Sequence, residues 1–251
     1  MPDMLAVESL TKRFGGLLAT DRLSLQIAAG ELHAIIGPNG AGKTTLINQL
    51  SGELLPDAGT IRFDGRDITR EPAFRRALAG LARSYQITSV FPEFTVLENL
   101  VMGVQAHAGH SFRFWRPALR ESALLEPAQR ILAQVGLGHR AHVVAAAMAH
   151  GERRQLEIAM TLAARPTLLL LDEPMAGMSH HEASGVVALL KELKSRYTIV
   201  LVEHDMDAVF ALADRITVLV YGRPIATGTP LEIRANREVR QAYLGEVEEH
   251  L

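Results

Sequence analysis

Leu32-His33-Ala34-Ile35-Ile36-Gly37-Pro38-Asn39-Gly40-Ala41-Gly42-Lys43-Thr44-Thr45 joins an apolar run to a glycine-rich loop. The first five residues read as a buried strand closed by Gly37, and Thr44 to Leu50 reads as a helix stopped near Gly52. Between them, Gly37 to Thr44 fits the pattern G-x-x-x-x-G-K-[ST] in the strand-to-helix setting that its chemistry requires. Glycines let backbone N–H groups turn inward around phosphate oxygens, and a helix N-terminus adds positive partial charge. Lys43 is suited to reach the β- and γ-phosphates, and the Thr44 hydroxyl to ligate Mg²⁺. The loop alone leaves GTPases, kinases and ATPases open.

The second informative stretch is Leu168-Leu169-Leu170-Leu171-Asp172-Glu173-Pro174, two acids at the end of a buried strand. Ligands of parallel α/β sheets bind at the carboxyl ends of strands. Asp172 is suited there to hold Mg²⁺, and Glu173 to polarise an attacking water as general base. Strands are also expected at Ile199–Val202 and Ile216–Tyr221, and helices over 182–195 and Met206–Ala213. This alternation implies a parallel sheet with helices on its faces.

Outward from these stretches the texture differs. Leu23, Leu25 and Ile27 alternate with polar or small residues, a half-buried strand. Thr60–Phe63 and Asp67–Thr69 flank Asp64-Gly65-Arg66, a hairpin signal. Helix dominates from Thr95, where Thr95-Val96-Leu97-Glu98 forms a capping-box pattern, through 118–135 and 152–164. His107 to Arg120, with Phe112, Phe114 and Trp115, reads as a loop or insertion, and a short helix with Pro at its first position is expected near 230–235.

The 251 residues allow one large domain with an insertion, at roughly 150 residues per domain. Apolar residues make up 48% and charged residues 22%, which excludes a disordered or fibrous chain. The net charge of −2 gives no electrostatic drive toward nucleic acid. With no cysteine, a disulfide scaffold, a thiolate metal site and cysteine catalysis are all excluded. Met1 to Glu8 carries an early acid and no apolar run, so no signal peptide is expected. The longest apolar runs fall far short of the roughly 18 residues of a membrane span, so work at a membrane would require an embedded partner.

Gln86, the stretch Met148-Ala149-His150-Gly151-Glu152 and His204 within Val202-Glu203-His204-Asp205 stand in order beside these two elements. Together they resemble the nucleotide-binding subunit of an ATP-binding cassette (ABC) transporter, and the resemblance covers essentially the whole chain. It implies an α/β P-loop NTPase: a RecA-like parallel-sheet core with an N-terminal antiparallel β subdomain over 1–87 and 161–251, and an inserted α-helical subdomain over about 88–160. It implies that Phe14 stacks on adenine, and that Gly37, Pro38, Asn39, Gly40, Ala41, Gly42, Lys43, Thr44 and Thr45 hold the phosphates. Gln86 and His204 join Glu173 in catalysis, and Thr44, Gln86 and Asp172 serve Mg²⁺. Ala149 and Gly151 would close over the ATP of an opposite subunit. Here the usual Leu-Ser-Gly-Gly-Gln keeps only one glycine: Ala149 lacks a hydroxyl, and Glu152 puts an acid near a polyanion. Ala176-Gly177-Met178-Ser179 carries Ser where Asp or Asn is common, and His180 and His181 read as solvated residues.

Lys12 to Ala19, Val202 to Met206 and Ala242 to Glu246 narrow the resemblance to branched-chain amino-acid importer cassettes, and the long 105–126 region to the larger of their two ATPase subunits. The partners implied are two membrane-spanning permease subunits, a second ATPase subunit (a different chain, or a second copy) and indirectly a substrate-binding protein, with no nucleic acid. The implied place is the cytoplasmic face of the inner membrane. Val90, Phe91, Phe94 and Val96 are the candidates for permease docking. A catalytically weak cassette of a heterodimer and a soluble non-transport ABC ATPase are the alternatives.

Overall fold

The computed structural model describes residues 3–84, 90–107 and 121–248, with side chains to 242. Two sheets share the molecule. The smaller is antiparallel, in the order β2-β1-β4-β5, with β1 Asp3–Phe14, β2 Leu17–Ala28, β4 Ala58–Phe63 and β5 Arg66–Asp67. The larger runs β10-β9-β3-β8-β7-β6, with β3 Leu32–Ile36, β6 Leu81–Ser84, β7 Leu168–Asp172, β8 Thr198–Val202, β9 Arg215–Val220 and β10 Arg223–Gly228. Its strands pair in parallel except for β10, which closes one edge antiparallel.

Every residue of β3, β7 and β8 is buried, because both faces of the large sheet are covered. Side chains alternate between two cores. Leu32, Ala34 and Ile36 with Leu169 and Leu171 face the helical side; Ile35 with Leu168 and Leu170 faces the small sheet. Burying each such aliphatic side chain contributes about 1.5–3 kcal/mol. The helical side is built by α3 Val96–His107, α4 Ser122–Gln134, α5 His150–Leu162, α6 His180–Leu193 and α7 Met206–Leu212. On the other side α1 Lys43–Ser51 lies between the sheets through Leu46, Ile47 and Leu50. Two further helices close the described residues, α8 Pro230–Ala235 and α9 Arg237–Glu248.

Local chemistry sets the ends of these elements and shifts several expected ones. Gly52, at φ +84, ends α1 by turning its N–H back to the Asn48 and Gln49 carbonyls. The helix expected over 182–195 starts earlier, at His180, because Ser179 and Glu182 form a reciprocal capping box. The helix expected over 152–164 starts at His150 for a related reason: Glu152 accepts the Ala149 N–H at 3.1 Å. The helix expected over 118–135 is seen as Ser122–Gln134, beginning after Glu121, its extended N-cap, while 118–120 lie outside the described residues. In the hairpin, Asp64 and Gly65 take φ +47 and +73, a two-residue turn, so Arg66 belongs to β5. The Thr95–Glu98 box forms as read.

A buried cation fixes the far end of α1. Arg76, on α2 Ala73–Leu78, is fully buried. Its guanidinium donates to the carbonyls of Gln49 (2.7 Å), Leu50 (2.8 Å), Glu71 (2.8 Å) and Thr69 (3.1 Å). Two of these are C-terminal carbonyls of α1, where a cation also meets the negative end of the helix dipole. Burial pulls the Arg76 pKa down to about 10, still far above neutrality.

Candidate active site

The site assembles at the carboxyl ends of three adjacent strands. Ile35 of β3 registers with Val202 of β8, and Val202 with Asp172 of β7. At about 4.8 Å per strand, the phosphate loop and the two acids therefore start about 10 Å apart, with His204 two residues past the end of the strand between them.

Sequence fixes the loop through close packing as well as through backbone freedom. A Cβ on Gly37 would lie 2.2 Å from the Leu219 carbonyl oxygen, and one on Gly42 (φ +99) would lie 2.2 Å from that of Ala19. No larger residue fits either position. The Ala19 contact seats the β1–β2 hairpin on the loop, and the Gly222 N–H donates to the Ala41 carbonyl at 2.9 Å from the other side. Lys43 is buried, its ammonium donating to the carbonyls of Gly37 (2.5 Å) and Pro38 (3.0 Å), while Thr44 is exposed and Thr45 half-buried. Gly42 precedes α1 without a side-chain cap, so the first-turn amides are open to an anion. Phe14 ends β1, pairs with Leu17, and is 49% exposed; the Lys12 ammonium lies 5.7 Å from its ring centroid. Hairpin packing thus brings an open aromatic surface to within a few residues of the loop.

Asp172 is buried, with one oxygen paired to Arg83 at 3.0 Å. The other, Oδ1, has no hydrogen-bond partner among the described residues. Burial pushes the carboxyl pKa up, and Arg83 opposes that rise. A buried, unpaired carboxylate oxygen two strands from an uncapped helix start and an exposed Thr44 hydroxyl make a ligand set that fits a magnesium-bound phosphate. Glu173 adopts φ +47, rare for a residue with a side chain, and its N–H donates to the Val202 carbonyl at 2.9 Å. His204 is well exposed; its N–H donates to Glu203 Oε2 at 3.1 Å, and its Nδ1 lies 3.8 Å from the same carboxylate. Gln86 lies outside the described residues.

The 148–152 segment packs elsewhere, against α6. Gly151 sits where a Cβ would be 3.3 Å from Glu182 Cβ, and its N–H points to Glu182 Oε1 at 3.4 Å. Ala149 is the N-cap of α5 and offers no hydroxyl. Glu152 does not bring a bare charge to this end: its carboxylate is held by the Ala149 N–H and by Arg140 at 2.9 Å. The acid expected near a polyanion is thereby a neutralised helix cap. Ser179 likewise caps α6, and His180 and His181 are exposed as read. Of the docking candidates, Val90 and Val96 are buried in the helical core. Phe91 and Phe94 remain, 44% and 40% exposed and stacked at 5.5 Å.

Three polar residues of the site carry no pattern of their own in the sequence: Arg83, Arg154 and Glu203. An arginine inside the short strand Leu81-Ala82-Arg83-Ser84 and an acid closing the apolar run of β8 are the only hints. Glu203 is buried and accepts the Met175 N–H at 2.9 Å; burial pushes its pKa up, and backbone N–H groups pull it back.

With this geometry in view, known proteins give a consistent picture. A model described as ABC transporter matches residues 20–176, and one described as Branched-chain amino acid ATP-binding cassette transporter matches residues 223–249. The high-affinity branched-chain amino acid transport ATP-binding protein BraF of Pseudomonas aeruginosa is 41% identical over 97% of this chain and 98% of its own. LivG of Salmonella typhimurium, described in the same words, is 42% identical with the same coverage. Among solved structures, the ADP conformation of MJ1267, an ATP-binding cassette of an ABC transporter, superposes with a TM-score of 0.87 at 30% identity, over 98% of this chain and 100% of that one. A nucleotide-free cassette of an ABC transporter gives 0.85 at 29%, over 96% and 99%. Matched by the family along most of its length and by these relatives along nearly all of it, the chain belongs to the ABC transporter family as one of its ATP-binding, ATP-hydrolysing subunits.

Proposed function

We propose that this chain binds MgATP at the loop 37–45 and hydrolyses it with Glu173 as general base, powering import of branched-chain or related hydrophobic amino acids. The observation that carries the chemistry is the placement of Asp172 and Glu173 two strands from the phosphate loop, with Asp172 Oδ1 buried and without a hydrogen-bond partner among the described residues. Lys43 and the first-turn amides of α1 hold the phosphates, and Phe14 offers its face to adenine, a stacking contact worth about 1–3 kcal/mol. Thr44, Asp172 and Gln86 would hold magnesium, which would supply charge neutralisation to the phosphates. Glu173 takes the proton of the attacking water, and His204, just past the end of the intervening strand, is the residue assigned to the γ-phosphate. The names of the relatives and the match over 223–249 support the amino-acid cargo. ATP-driven uptake of labelled leucine into vesicles carrying the assembled transporter tests it; uptake of an unrelated solute instead would reject the cargo.

Ala149 and Gly151 would meet the ATP of a second cassette. Residues of about 88–160 serve as the subdomain that meets two permease subunits at the cytoplasmic face of the inner membrane. The absent hydroxyl at Ala149 favours a heterodimer with two unequal ATP sites. Lys43→Ala should weaken ATP binding by about 2–5 kcal/mol, roughly 30-fold or more, in equilibrium binding; unchanged affinity would count against the loop assignment. The stacked pair Phe91 and Phe94 is the proposed permease contact. Since the chain has no cysteine, single cysteines at 91 or 94 give a clean test: cross-linking to a permease subunit is expected, and its absence would leave the pair without this role.

A further inference from the structure

The turn that carries Glu173 is gripped by one side chain from another part of the fold. Arg154, on α5, donates from Nη2 to the Glu173 carbonyl at 2.8 Å and to the Asp172 carbonyl at 3.3 Å, and from Nε to the Pro174 carbonyl at 2.9 Å. Its Nη1 is held by Glu157, itself buried, at 2.6 Å. We propose that Arg154 is a positioning residue for hydrolysis, fixing the backbone from which the Glu173 carboxylate projects. The proposal rests on the reading of Glu173 as base.

The physical case begins with strain. A side-chain-bearing residue at φ +47 is strained and persists only where its surroundings dictate it. The sheet supplies one restraint, the Glu173 N–H on Val202, and Glu203 supplies another through the Met175 N–H. The carbonyls of residues 172–174 all accept from Arg154, and that of Glu173 also accepts the Ala176 N–H at 3.1 Å. One planar guanidinium can meet three carbonyls and a carboxylate at once; a lysine ammonium has neither the donors nor the fork. The source of the grip matters as well. Arg154 lies one helical turn from Gly151, whose N–H points to Glu182, so α5 is fastened to the chain following β7 at two places. A general base must sit within hydrogen-bond reach of its water, and small displacements are costly in rate.

The test uses the full-length chain assembled with its membrane partners. Steady-state hydrolysis is measured for wild type, R154M, R154K, E173Q and R154M/E173Q, and ATP affinity by equilibrium binding. R154M should lower kcat by about 10–100-fold, the range expected of outer-shell partners, with KM and ATP affinity little changed. R154K should recover part of the loss. The double variant should be no slower than E173Q alone, because both changes act through one carboxylate. Wild-type kcat in R154M, a fall in ATP affinity that matches the fall in kcat, or a fully multiplicative double variant would overturn the proposal. Should R154M fail to fold, R154K decides: reduced kcat at unchanged KM supports the role, and wild-type kcat or raised KM defeats it. Wild-type turnover in E173Q would reject the base assignment itself, whatever the Arg154 variants do.

Discussion

Glu173→Gln is expected to bind ATP as the wild type does and to lose about 10²–10⁴-fold in turnover, the usual worth of a positioned general base. The substitution keeps the shape of the side chain and leaves its backbone contacts untouched, the N–H on Val202 and the carbonyl on Arg154. It removes only the group that can accept a proton. Asp172, Lys43 and the α1 amides, which would hold the nucleotide, are unaffected, so binding and hydrolysis separate. Single-turnover hydrolysis alongside equilibrium ATP binding measures both. Undiminished hydrolysis would assign the base elsewhere, with His204, at the end of the neighbouring strand, as the next residue to test.

The largest expected loss of stability comes from a residue with no part in the chemistry. Arg76→Met keeps most of the apolar stem and deletes the guanidinium, leaving the carbonyls of Gln49, Leu50, Thr69 and Glu71 without their shared donor. An orphaned buried acceptor costs about 1–3 kcal/mol, and water entering the space left behind will recover part of it. The expected net loss is about 3–5 kcal/mol, or on the order of 10 °C in Tm for a chain of this size. Thermal unfolding of the purified chain checks it. Because Arg76 stays protonated to about pH 10, this contribution should be constant through the neutral range. A Tm within a degree or two of wild type would mean that the four carbonyls find other donors.

Much of this molecule is legible in one dimension where the constraint is local. The loop 37–44 declares itself because Gly37 and Gly42 stand where a Cβ would collide with backbone. The strands β3, β7 and β8 declare themselves because burial on both faces leaves unbroken apolar runs. β1 is harder to see: Ser9 at φ +49 accompanies a register shift between Val7 and Leu10, which breaks the alternation that marks a strand. The short α2 and the polar α9 have no long apolar period to betray them. The site divides in the same way. Asp172 and Glu173 follow from their place at the end of a run, and Phe14 and His204 only from resemblance. Arg83, Arg154 and Glu203 take their meaning from partners 89, 18 to 20, and 28 residues away, and nothing local announces such pairings. The pairing of Glu152 with Arg140 is illegible for the same reason, since Arg140 belongs to a different turn of chain.

The pairing of β6 with β7, Leu81 beside Leu168 and Ser84 beside Leu171, has a consequence for how such a chain can diverge. The polypeptide leaves the large sheet after Ser84 and re-enters it at Leu168 on the adjoining parallel strand, about 4.8 Å across and, because Leu168 pairs with Leu81, about 10 Å back along the strand direction. Everything in between is a crossover excursion that joins opposite ends of two neighbouring strands, its end points fixed by their pairing. Length can be added to or taken from such an excursion without shifting the register of any other strand, and the entropy of closing it grows only slowly with its size. Lineages can therefore refit the part that meets their own membrane partners while the phosphate-handling frame, anchored on the remaining strands, stays as it was.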